Sequence, residues 1–114
     1  MAIEILLNYL KENQKTFKIT GEQFELYNVI ISSYDITQDS LEIWLTGSAN
    51  GRVLIDISNL KEAYFNTSYR PVKTPKEMSD GINYLLTTKE YKRANISFFN
   101  EDNEVILGII DLAL

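Results

Sequence analysis

Apolar residues recur along this chain with two different periods, and where each period holds decides which element forms. Ile3, Leu6, Leu7 and Leu10 stand at i, i+3, i+4 and i+7, which places them on one face of a helix. An amphipathic helix over residues 2 to 13 is expected, with Ile5 and Tyr9 widening its apolar face. From Gln23 to Ile36 the chain is rich in β-branched and aromatic residues, and this stretch predicts one long strand. Its alternation slips near Asn28, as a bulge would make it do. Leu41, Ile43 and Leu45 then alternate with Glu42, Trp44 and Thr46, and Val53, Ile55 and Ile57 alternate again beyond Asn50-Gly51. Asn-Gly accepts the positive φ angles of a type I′ turn, so a hairpin closed at Asn50-Gly51 follows.

Two segments carry the helix-start pattern of a polar cap residue followed three places later by glutamate: Asn59 with Glu62, and Thr74 with Glu77. The first predicts a helix of a turn or two ending near Phe65. The second, with Pro75 at the favoured first position, predicts a longer helix through Met78, Ile82, Leu85 and Leu86 in spite of the interior Gly81. Near the end come Ile96 and Phe98, a polar turn over residues 100–103, and a run from Val105 to Leu112 that is apolar on both alternating faces. That is the pattern of a central strand covered on both sides. In order, these elements predict an α+β fold. A mostly antiparallel, twisted sheet or small open barrel carries an N-terminal helix, with one to two helices between its two strand groups. In size and element order the chain resembles small RNA-binding barrels of the PUA-like kind. No signature residue accompanies that likeness, so it implies a fold and no site.

A length of 114 residues fits one domain, 1–114, with a single core. The hydrophobic share of 45% and the charged share of 24% argue against disorder. There is neither cysteine nor histidine. Disulfides, thiol nucleophiles and nitrogen or sulfur metal ligands are thereby excluded, and the commonest acid–base residue is missing. A non-enzymatic protein without cofactor or metal is therefore expected. The remaining candidates for acid–base work are Asp56 and Asp111, carboxylates set inside apolar strand segments. Brought together they would perturb each other's pKa; at a strand end or on a solvated face each is merely a surface charge, which is the commoner case. Residues 47–51 hold two glycines but precede a strand and lack phosphate-loop spacing. With no basic leader and no apolar run of bilayer length, a cytoplasmic protein without membrane contact is expected. In that compartment the Asn-x-Ser/Thr triplets at Asn66 and Asn95 are coincidental.

Charge changes the picture more than composition does. The chain carries a net −5, yet residues 61–93 hold seven basic and four acidic residues, against four and eight in residues 1–60 and none and four in residues 94–114. The basic side chains are interleaved with Tyr64, Phe65, Tyr69, Tyr84 and Tyr91. Cations neutralise phosphates and rings stack on unpaired bases, for about 1–3 kcal/mol per base. This pattern predicts a small regulatory binding protein that holds RNA or another single-stranded nucleic acid through Tyr69, Arg70, Lys73, Lys76, Lys89, Tyr91, Lys92 and Arg93. The plainer reading is that the aromatics pack in the core and the lysines form an ordinary solvated face. An alternative function is an acidic modulator or inhibitor of a larger protein partner, bound through the acidic surface or through helix 2–13. Free strand edges in so small a sheet also leave room for a homodimer.

Overall fold

The computed structural model describes residues 1–67 and 70–114. Helix α1 (Ala2–Glu12) is followed by β1 (Phe17–Thr20), β2 (Glu25–Ile36), β3 (Ser40–Gly47), β4 (Gly51–Asp56) and β5 (Leu60–Phe65). Helix α2 (Pro75–Thr87), β6 (Arg93–Asn100) and β7 (Val105–Ala113) complete the chain. Of the two forms expected, the sheet is the open one: seven strands in the order β4-β3-β2-β1-β7-β6-β5, every pairing antiparallel. Among the described residues no helix is long and apolar enough to cross a membrane.

The helical period of α1 buries Ala2, Ile3, Leu6, Leu7 and Leu10. The helix packs across β2 and beside α2, and the Tyr34 hydroxyl donates to Asn8 Oδ1. Its end is closed by side-chain amides, Asn13 donating to the Tyr9 carbonyl at 2.9 Å and Gln14 to that of Lys11 at 2.7 Å, beside the backbone amides of the same two residues, which donate to the same two carbonyls. The inner face of the sheet supplies Ile19, Val29, Ile31, Ile43, Ile96, Phe98, Leu107 and Ile109 to the same core as Met78, Ile82 and Leu85 of α2. The slip expected at Asn28 is present. That residue has φ +52°, and the pairing of β1 with β2 shifts from Phe17↔Val29 to Ile19↔Leu26, so both Ile19 and Val29 reach the core. The predicted start of α2 is present as well: Thr74 Oγ1 accepts from the Glu77 amide at 3.2 Å and faces its carboxylate at 2.9 Å.

Two expectations are corrected. Residues 59–65 hold no helix. Leu60 closes a turn by donating to the Ile57 carbonyl, and β5 follows, with Ala63 opposite Phe98 and Phe65 opposite Ile96. Ala63 and Phe65 are both buried. A helix turns about 100° per residue and would send these two positions to nearly opposite sides, whereas a strand sends them to one. The β3–β4 hairpin exists but does not close through positive φ at Asn50-Gly51. The positive φ is at Gly47, +104°, where a Cβ would stand 2.6 Å from the Asn28 carbonyl oxygen, and Gly51 is already paired with Leu45. The expected central strand is present: β7 lies between β1 and β6, and residues 106–109 are buried without a break, so both alternating faces are covered there. Thr20 leans over Gly108, its Oγ1 2.3 Å from where a Cβ would be.

The two edges of the sheet differ. Outside β5 the chain itself returns, Ala63 and Val72 exchanging two backbone hydrogen bonds of 2.8 Å. Outside β4 no strand is paired among the described residues.

Candidate functional site

The basic segment wraps around the β5 edge and back over the core. Because Val72 pairs antiparallel with Ala63, Arg70 comes alongside the Phe65 end of β5. That end of the sheet, where β5 stops, β6 starts and β7 stops, is tied together by two asparagines. Asn66 donates through Nδ2 to the Arg93 carbonyl at 3.0 Å and accepts at Oδ1 from the Asn95 amide at 3.1 Å. Asn95 Oδ1 in turn accepts from the Asp111 amide at 2.9 Å. Arg93 Nη1 donates to the Asp111 carbonyl at 3.2 Å, and the Leu114 amide donates to the Lys92 carbonyl at 3.0 Å. The two triplets that resemble glycosylation acceptors are thus structural amides that fix the backbone from which Lys92 and Arg93 project.

Helix α2 divides the predicted site residues. Lys73 precedes its cap and Lys76 lies in its first turn, while Lys89, Tyr91 and Lys92 follow its last turn. Thirteen helical residues at 1.5 Å each separate these groups by about 20 Å. Lys89, with φ +60°, turns the chain back toward β6. Lys89, Tyr91, Lys92 and Arg93 therefore lie together between the end of α2 and the start of β6, Lys73 and Lys76 stand at the other end of the helix, and Arg70 lies between the two groups, beside the Phe65 end of β5. Lys76 is also engaged, with Nζ 2.8 Å from Asp80 Oδ2, a hydrogen bond that holds its pKa above the ordinary lysine value. Tyr69 lies outside the described residues.

The aromatics divide too. Phe65 is core. Tyr64 is exposed on the outer face and meets Phe99 edge-on, centroids 5.3 Å apart. The Tyr84 hydroxyl donates to Glu90 at 3.0 Å. Tyr91, half-buried, lies in the chain between Lys89 and Lys92. Elsewhere on the outer face Lys18 lies 4.8 Å from the Tyr27 ring centroid and pairs with Glu25. The hydrogen bond between them raises the Lys18 pKa and lowers that of Glu25, so each satisfies the other.

Asp56 and Asp111 do not meet. Asp56 lines a cleft with Ile106, and Asp111 lies five residues further along β7, about 16 Å at strand rise. Asp56 is exposed and accepts at Oδ1 from the Ser58 hydroxyl at 2.6 Å and the Ser58 amide at 2.9 Å. The hydroxyl hydrogen bond, with the amide second, holds its pKa below the ordinary aspartate value. A carboxylate depressed in the folded state adds stability above its unfolded pKa and loses that contribution as pH falls through the folded one. Ser58→Ala is expected to move the Asp56 titration upward, as followed by carboxyl NMR shifts; an unmoved titration would show that the hydroxyl is not its partner. Among the described residues no three carboxylates gather as a metal site.

No local pattern signals the cleft, about 400 Å³ between β4 and the turn after β1, because it joins three distant segments: Glu22 and Phe24, Leu54 to Asp56, and Ile106. Its charged lining residues are both acidic. It therefore offers apolar contact and repels anions, the opposite of the cationic end of the sheet. No protein-family model matches the chain, and comparisons with curated proteins and with solved structures found no match.

Proposed function

We propose that the protein is a non-enzymatic regulatory protein of the cytoplasm that holds single-stranded RNA through Arg70, Lys89, Tyr91, Lys92 and Arg93, along the end of the sheet where β5 stops and β6 starts. The observation that carries this reading is that Arg70, Lys89 and Lys92 are exposed and enter none of the four ion pairs among the described residues. In a chain of net charge −5, cations without carboxylate partners, on a backbone pinned by Asn66 and Asn95, are groups available to phosphates. The half-buried ring of Tyr91 supplies a face on which one unpaired base stacks. Lys73 and Lys76, one helix length away, extend the path without belonging to its centre.

The test is fluorescence anisotropy with a labelled oligouridine. Three phosphate contacts on a single strand predict an affinity loss of about 20-fold between roughly 50 mM and 200 mM salt. Arg70→Glu is expected to weaken binding about tenfold for any sequence and to flatten the salt dependence. An affinity untouched by Arg70→Glu, or a copurifying protein partner with no bound RNA, would overturn the reading.

A further inference from the structure

The outer edge of β4 carries no paired strand among the described residues and lies at the opposite end of the strand order from β5. Ile57 donates to the Asp39 carbonyl at 3.0 Å, and β4 is in register with β3 without a slip, from Ser40↔Asp56 to Leu45↔Gly51. In an antiparallel ladder the hydrogen-bonded residues alternate. Residues 51, 53, 55 and 57 therefore face β3, and Arg52, Leu54 and Asp56 turn their N–H and C=O groups outward. The same three side chains are exposed, Leu54 to 63%. Natural edges are guarded by proline, lysine, bulges or a covering segment. The β5 edge has such a cover in Val72, whereas β4 has no proline, bulge or paired segment outside it; its edge carries only the charges of Arg52 and Asp56, with Glu22, Phe24 and Ile106 across a cleft from Leu54 and Asp56.

We infer that the β4 edge pairs antiparallel with β4 of a second copy of this chain about a two-fold axis at Leu54, joining two seven-stranded sheets into one. Self-pairing through outward backbone groups must match even-numbered residues with even-numbered ones, which leaves few registers. A centre at residue 52 sets Arg52 against Arg52, and one at 56 sets Asp56 against Asp56. Centres at 53 or 55 place Leu54 against a charge. The centre at Leu54 alone sets Arg52 opposite Asp56 of the other copy, twice, and buries Leu54 against its own counterpart. Opposite charges across a strand pair stabilise it and like charges destabilise it. Arg52 is free to take part, since its own-chain pairing with Glu42 is long, at 3.7 Å, and exposed. A two-fold interface of this kind is closed and does not propagate into fibres.

The experiment is sedimentation equilibrium on the full chain, whose protomer mass is 13.1 kDa, with circular dichroism confirming the fold of each variant. The wild type is expected at twice that mass. Arg52→Asp and Asp56→Arg, each creating two like-charge pairs, are each expected to weaken dimerisation about tenfold or more. The double variant Arg52→Asp/Asp56→Arg is expected to recover the wild-type affinity, which a merely structural effect of either residue would not produce. A wild type that stays monomeric at high concentration would overturn the inference. So would single variants that dimerise as well as the wild type, or a double variant that fails to recover.

Discussion

Truncation of Phe98 to alanine is expected to remove about 3–5 kcal/mol of folding stability. Phe98 is fully buried at the middle of β6, opposite Ala63 of β5 on one side and Leu107 of β7 on the other. A domain of this size has about 5–15 kcal/mol in all, so the variant should melt about 15 °C or more below the wild type. Urea unfolding at unchanged m-value measures it. A cost below about 1 kcal/mol would mean that β6 is not the centre of the core. Since β6 begins at Arg93, RNA affinity in this variant should fall only as far as the folded fraction does.

The second large effect is expected at Gly81, where two physical terms oppose each other. Alanine in a helix interior is favoured over glycine by about 1 kcal/mol. Here, however, a Cβ would lie 2.5 Å from Cε2 and 3.0 Å from Cδ2 of Phe65, a buried ring that cannot swing into solvent. Overpacking of this kind costs about 1–3 kcal/mol, so packing offsets propensity and Gly81→Ala is expected to destabilise by up to about 2 kcal/mol net, with Gly81→Val worse. In a double-mutant cycle Phe65→Leu should relieve most of the cost, because the two positions act through one contact. If Gly81→Ala stabilises the protein, then α2 does not rest on β5 as described.

How far the sequence foretold these features depends on whether their causes are local. The stripe of α1, the slip at Asn28 and the Thr74–Glu77 cap are each set by residues within one or two turns of each other, and each could be read directly. The Asn59–Glu62 pattern is equally local, but it was overruled by a distant one, the burial of Ala63 and Phe65 beside β6. Strand β1 has only the four residues Phe17–Thr20, too few to display a period. Charge along the chain located the cations of the candidate site but not their division, because the length of α2 sorts them in space. The i, i+4 spacing of Lys76 and Asp80 already signalled that Lys76 is occupied. The amides of Asn66 and Asn95 gave no local signal. Asn66 bonds residues 27 and 29 positions away, and only the pairing of β5, β6 and β7 brings them together.

The central claim, that the cationic end of the sheet is the working surface, is tested most directly by an NMR titration of the isotope-labelled full chain with an oligouridine at low salt. The predicted result is that the backbone amides of Arg70, Lys89, Tyr91 and Lys92 shift together and saturate, while those of β4 remain in place. A titration that leaves these four amides unmoved, or that moves residues scattered over the whole surface without saturation, would contradict the account.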